Sequence, residues 1–335
     1  MKTIFIINPC AGQGSDVEKL TSEIRCVSEQ IKSDVEIYIT KSVGDATEYV
    51  KNYCRDKGCA RFIACGGDGT LNEVLNGAIG YDDAEIGVLP LGTGNDFCRN
   101  FPTDCNFSDI TAQINGITQK CDSIKYTTEF EGEEKNGYCV NMFNIGFDAN
   151  VADMTSNMKK KPLISGSLAY FLSILVMLIK KKGAELNIEI DGKPVHKGHL
   201  LLTSIANGCY CGGGVKSNPL ADVSDGLINI NIIKNVSRIR FLTLLPGYMK
   251  GTFMSYKNIE KYISTLKCEN VNIIPVSGKM RLCVDGEITD AQKTSFSILP
   301  KSFNFVIPAM KNTENTKERE LVAMKKQYGI WRNYL

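Results

Sequence analysis

Histidine is almost missing: the 335 residues contain only His196 and His199, both expected near the start of a strand. Zinc catalysis and histidine-based triads therefore have too few imidazoles. Thirteen cysteines are present, but no Cys-x-x-Cys pair occurs, and Cys209 and Cys211 sit two apart. An odd number scattered singly fits a reducing compartment, so a cytoplasmic protein is expected. Net charge is also small, +2 from 39 Lys and Arg against 37 Asp and Glu. That balance excludes a nucleic-acid protein held by a global basic field. No apolar run reaches the roughly 20 residues that span a bilayer. The most apolar stretch, Leu168 to Ile179, suits a buried or an interfacial helix. Met1 runs directly into Lys-Thr-Ile-Phe-Ile-Ile, too short and too β-like for a signal peptide. Nor is there a Gly-x-x-x-x-Gly-Lys-Ser/Thr loop, a Gly-x-Gly-x-x-Gly opening the first helix, or the ordered signatures of a protein kinase.

What the chain does contain is an alternation of β-type and helical segments: Thr3–Ile7, Val17–Ile31, Val35–Ile39, Ala46–Tyr53, Arg61–Cys65, Leu71–Ile79 and Ile86–Leu89. This predicts an α/β domain over 1–120, a parallel sheet with helices on both faces. From about Lys120 the texture becomes alternating β-type runs, among them Tyr138–Ile145, Leu186–Ile190, Leu200–Ile205, Leu227–Ile233, Val271–Ile274, Met280–Val284 and Phe303–Ile307. A β-rich antiparallel domain over 121–308 follows, interrupted by a helix around Leu168–Lys182. The tail 309–335 carries Leu321, Met324, Tyr328, Trp331 and Leu335 on one helical face. It is expected to touch a membrane, to form a homodimer contact with a second subunit, or to return to the first domain.

Glycine-rich turns fall where ligands collect in such sheets, beyond the carboxyl ends of the strands. They are Asn8-Pro9-Cys10-Ala11-Gly12, Gly66-Gly67-Asp68-Gly69-Thr70 and Gly92-Thr93-Gly94-Asn95-Asp96. Missing side chains let backbone N–H groups approach phosphate oxygens, and a following helix adds its positive end. Asp68 suits a water-mediated grip on Mg²⁺ that bridges phosphates, and Asn72, Glu73 and Asn76 ride the next helix. Asp96 and Asp122 are further carboxylates that the fold is expected to bring toward the same metal. Phosphoryl transfer to an alcohol also needs a carboxylate near the attacking oxygen. Asp285-Gly286-Glu287, which alone reads as a hairpin turn, is the late candidate.

The stretches Gly66 to Val74, Leu89 to Phe97, Asn144-Ile145-Gly146-Phe147-Asp148 and Val284-Asp285-Gly286-Glu287 resemble the bacterial diacylglycerol kinase and sphingosine kinase type of lipid kinase. The resemblance runs from about Lys2 to Pro308. It implies ATP on Asn8, Pro9, Gly12, Thr40, Gly66, Gly67, Asp68, Gly69, Thr70, Asn72, Glu73, Thr93, Gly94, Asn95 and Asp96, with Asp68, Asp96 and Asp122 organising Mg²⁺ and phosphates. It implies a general base at Asp285 supported by Glu287, or at Glu287 itself. A second, structural Mg²⁺ is implied at Asp222, Asp225 and Leu227. Diacylglycerol is the favoured acceptor, with a sphingoid base, ceramide or phosphatidylglycerol as alternatives. An NAD kinase, which shares Gly66 to Thr70, and a regulator without turnover are the other readings. A lipid acceptor implies peripheral contact with the inner face of a membrane, for which Lys159-Lys160-Lys161, Lys180-Lys181-Lys182 and the basic tail are candidates.

Overall fold

The computed structural model describes residues 1–11, 16–146 and 183–308. The helix expected around Leu168–Lys182, both lysine clusters, Gly12 and the tail 309–335 lie outside the described residues.

Four strands, β1 (Thr3–Ile7), β2 (Val35–Ile39), β3 (Arg61–Gly66) and β4 (Glu85–Pro90), form a parallel sheet in the order β4-β3-β1-β2. Of these, β1, β3 and β4 are largely buried apolar runs because helices cover both faces, while the edge strand β2 is half-exposed. On one face Ile4, Ile6 and Phe62 pack with residues of α2 (Asp45–Lys57) and α3 (Asp68–Ala78). On the other, Phe5, Ile7 and Ile63 meet Ile24 of α1 (Val17–Ile31) and Ile110 of α4 (Ile110–Ile114). Asp16 starts α1 by accepting the Lys19 N–H, and Lys32 ends it in the left-handed region.

The remaining strands are β5 (Ile117–Phe130), β6 (Glu133–Cys139), β7 (Met142–Gly146), β8 (Ala184–Ile190), β9 (Lys193–Ala206), β10 (Ile228–Lys234), β11 (Ile263–Cys268), β12 (Asn270–Pro275), β13 (Met280–Val284), β14 (Glu287–Ala291) and β15 (Lys293–Ile307). All of their pairings with one another are antiparallel, as expected. The helix α5 (Arg238–Lys250) interrupts them. Sequence periodicity missed it because Pro246 lies inside and apolar residues occupy both faces. Both histidines fall in the first half of β9. The run Tyr138–Ile145, expected as one strand, is two: β6 stops at Cys139 and β7 starts at Met142. The chain turns there because the Asp285 carboxylate gathers the N–H groups of Val140, Asn141 and Met142.

β15 joins the two halves. Thr294 to Ser297 pair with β12, while Asn304 and Phe305 pair in parallel with Glu85 and Ile86 of β4. Its register on β5 shifts between Leu299 and Phe303. Beyond that shift Phe303 and Phe305 enter the core of the first domain, where Phe305 stacks on Phe101 at 4.8 Å and meets Phe97 edge-on at 4.9 Å. Replacing Phe305 with Ala is expected to cost about 3–5 kcal/mol in denaturant unfolding. The exposed Ile117→Thr, at the start of β5 opposite Ile307, is expected to stay within about 0.5 kcal/mol.

Candidate active site

Two of the glycine turns touch backbone to backbone. A methyl group on Gly92 would come within 2.5 Å of the Gly67 Cα, so Gly92 has no room for a side chain beyond hydrogen, and one on Gly67 would already press on Gly92 at 3.3 Å. The turn after β3 is thereby pressed against the turn after β4. Asn8, after β1, closes the third side: its Nδ2 donates to Thr70 Oγ1 at 3.1 Å and its Oδ1 accepts from the Cys10 N–H at 2.9 Å. Thr40, buried after β2, donates through its backbone N–H to the Ile7 carbonyl at 2.9 Å. Pro9 is half-buried beside Asn8.

Asp68 opens α3, and its Oδ1 accepts the Asp96 N–H at 2.8 Å and the Phe97 N–H at 3.5 Å. Burial raises its pKa to about 6, the neighbouring Asp96 carboxylate adds to the rise, and the N–H bonds oppose it. A methyl group on Gly94 would lie 2.6 Å from Asp68 Oδ2. Asn95 takes a left-handed φ of 52° to carry the chain past this point, and its buried Oδ1 has no protein partner. Asp96 reaches across to the other half of the molecule, accepting the Gly213 N–H at 2.9 Å and the Gly214 N–H at 2.8 Å, with Arg99 Nε at 3.6 Å. Its pKa too is raised by burial. The Gly212-Gly213-Gly214 run was the sequence signal for this contact, and it went unread.

From the second domain, the turn between β13 and β14 arrives opposite. Asp285 holds a left-handed φ of 44° and accepts the N–H groups of Val140 at 3.0 Å, Asn141 at 3.2 Å and Met142 at 2.9 Å. Burial nevertheless carries its pKa to about 7, with Asp68 close enough to add to the rise. Glu287 is exposed, and its Oε1 stands 3.3 Å from where a Gly69 side chain would begin. Although the residue as a whole is exposed, its carboxyl end is partly desolvated, which raises its pKa, and Glu73 adds to the rise. Glu73, expected at the nucleotide, instead accepts the Ala46 N–H at 3.3 Å through its carboxylate, tying α3 to the start of α2. Asn72 serves the helix, its carbonyl accepting from Asn76 Nδ2 at 2.8 Å. Asn76 then bonds the Tyr138 backbone through both its amide groups.

Asp122 is the correction among the expected metal residues. It lies not at the Asp68 turn but under the loop that follows Val223, accepting the Gly226 N–H at 2.7 Å and the Lys301 N–H at 2.6 Å. Pairing of β5 with β15 carries it there, beside the register shift that presents Lys301. Asp222 accepts the Ser224 N–H at 3.0 Å, and Asp225 accepts the Leu227 N–H at 3.0 Å and the Lys267 ammonium at 2.5 Å. Among the described residues no three His, Cys, Asp or Glu side chains form a metal cage. The donor sets still suit a hard cation that keeps much of its water. At Asp68 two buried carboxylates face a single arginine, and at Asp122, Asp222 and Asp225 three face a single lysine.

Residues 2–126 match the diacylglycerol kinase catalytic domain, and residues 141–307 match the YegS C-terminal NAD kinase beta sandwich-like domain. The chain is 28% identical over 311 residues to a diacylglycerol kinase of Bacillus subtilis (strain 168), covering 92% of this chain and 96% of the relative. It is 28% identical over 281 residues to a probable lipid kinase, YegS-like, of Enterobacter sp. (strain 638), covering 82% and 86%. Its fold is shared with the solved structure of a diacylglycerol kinase from Bacillus anthracis str. Sterne, at TM-score 0.64, 20% identity and coverage of 92% and 97%. A yeast NADH kinase complexed with NADH shares the fold more loosely, at TM-score 0.51, 12% identity and coverage of 100% and 89%. With both domain matches together spanning most of the chain, the chain belongs to the diacylglycerol kinase family of lipid kinases.

Proposed function

We propose that the protein transfers the γ-phosphate of ATP to the hydroxyl of a lipid, with diacylglycerol as the favoured acceptor and phosphatidic acid as product. The observation that supports this most is the meeting of two unlike turns. One, at Gly67 and Gly92, is stripped of side chains as a polyphosphate requires; the other brings the Asp285 and Glu287 carboxylates to face it. A cytoplasmic enzyme working at the inner face of a membrane follows from such a substrate. Among the described residues no helix is long and apolar enough to cross one.

In this reading the backbone of Gly66 to Thr70 and Gly92 to Gly94 cradles the phosphates, and Asn8 fixes the cradle through Thr70. Asp68, with Asp96 behind it, would hold Mg²⁺ through water, and the ion would neutralise charge on the transferring phosphoryl group. The Asp122, Asp222, Asp225 and Leu227 loop would hold a second, structural ion. Asp285 takes the proton from the lipid hydroxyl. A carboxyl with a pKa near 7 is matched to that task, and its backbone cradle fixes its orientation. A second reading has Glu287 as the base and Asp285 as the brace of the Val140–Met142 turn, favoured by the position of Glu287 Oε1 over Gly69. NAD as acceptor is supported by fold likeness at 12% identity and by the NAD kinase-like description of the second matched domain.

Incubation with labelled ATP and a panel of diacylglycerol, sphingosine, ceramide, phosphatidylglycerol and NAD is expected to label diacylglycerol. Labelling of NAD alone would sink the proposal. With Asp285 as base, kcat/KM falls as pH drops below about 7, because the protonated carboxyl cannot accept. Asp285→Asn then removes that limb and roughly 10²–10⁴ of the rate, while Glu287→Gln keeps the limb; the reverse pattern assigns the base to Glu287. Asp68→Asn is expected to abolish turnover yet raise the melting temperature at alkaline pH without divalent cation. Its raised pKa means that its ionised form opposes folding, so the gain should fade as pH falls through about 6.

A further inference from the structure

Helix α5 is apolar on two sides. Inward, Phe241, Leu245 and Tyr248 pack with Val236, Phe253 and Ile263. Outward, Ile239, Leu242 and Met249 are 78%, 53% and 38% exposed. With the exposed Pro246 they recur at steps of three, four and three, which places all four within an arc of about 80° on a helix of 3.6 residues per turn. Arg238 borders this stripe on one side and Lys250 on the other. Arg240 turns away to lie over the Tyr262 ring at 4.8 Å. From Lys234 to Tyr262 the chain carries six cations, Lys234, Arg238, Arg240, Lys250, Lys257 and Lys261, against the single acid Glu260. This concentration stands out in a chain whose net charge is only +2.

The helix is also tied to the active site. Lys216 donates its N–H to the Met249 carbonyl at 2.9 Å, and the short bridge preceding Lys216 presents the Gly213 and Gly214 N–H groups that hold Asp96. We propose that this outer face of α5 docks on an anionic phospholipid bilayer. Ile239, Leu242 and Met249 enter the boundary between headgroups and acyl chains, while Arg238 and Lys250 meet lipid phosphates. The proposal rests on the lipid-kinase reading above, since it places a lipid-phosphorylating site beside its substrate. Charge complementarity selects this occupant. A second copy of the chain on the same two-fold face would set like cations against each other, and one stripe on a short helix is well below the roughly 800 Å² per partner of a stable dimer.

The test uses the full-length protein and vesicles of phosphatidylcholine with or without phosphatidylglycerol. Wild type is expected to sediment with the anionic vesicles and much less with the neutral ones. The Ile239→Ser/Leu242→Ser variant should lose about tenfold or more in partitioning, and Arg238→Gln/Lys250→Gln should lose the preference for anionic lipid. Both should retain wild-type turnover on acceptor dissolved in detergent micelles. A Leu242→Trp probe, with the single native Trp331 changed to Phe, should shift its emission to the blue on anionic vesicles. Unchanged partitioning of the first variant, an unshifted probe, or a wild-type dimer that dissociates in that variant would overturn docking through α5. If no lipid is phosphorylated, the lipid-kinase reading fails, while the vesicle arms still decide whether α5 docks.

Discussion

Buried carboxylates that accept backbone N–H groups from distant segments hold the site together. Asp68 gathers Asp96 and Phe97, Asp96 gathers Gly213 and Gly214, Asp122 gathers Gly226 and Lys301, and Asp285 gathers Val140 to Met142. Charge-assisted bonds of this kind are stronger than neutral ones, and each fixes a turn that no regular ladder would fix. They also leave the region short of positive charge. Burial lifts all four carboxyls above their ordinary pKa, so the architecture that shapes the turns also readies them for a cation or a proton.

The chain of contacts crosses the molecule twice. Asp96 links the first domain to the glycine run of the second, and Asp285 aims a turn of the second at Asp68. A site assembled this way belongs to neither domain alone. The first domain supplies backbone polarity, which suits a polyphosphate whatever its nucleoside. The second adds the Asp285 turn and strands whose inward faces are largely apolar, with few polar groups among them.

The parallel sheet was readable because β1, β3 and β4 are short, largely buried apolar runs, each followed by one of the glycine-containing turns. The turns that carry Asp68 and Asp96 were placed at strand ends for the same reason, since glycines close β3 and follow β4. Residues whose roles depend on long-range pairing were not. Asp122 was expected beside Asp68, but the register of β5 on β15 decides which amides it meets. Tyr138 to Ile145 was expected to be one strand, and a carboxylate 145 residues away from Val140 divides it. Glu73 was expected at the nucleotide, and one oxygen of its carboxylate also meets the Ala46 N–H of α2, a contact set by helix packing that spacing alone does not show. Helix α5 escaped notice because its outward apolar stripe masks the periodicity that usually marks a helix.

β15 gives the two halves a shared fate. Chain fission between the two matched domains would leave β4 without its neighbour and strip Phe303 and Phe305 from the first core. The stranded fragment would display an open, apolar β edge, a template for amyloid-like growth. The β4 edge of the first sheet is thus sealed only once the polypeptide is complete through Ile307.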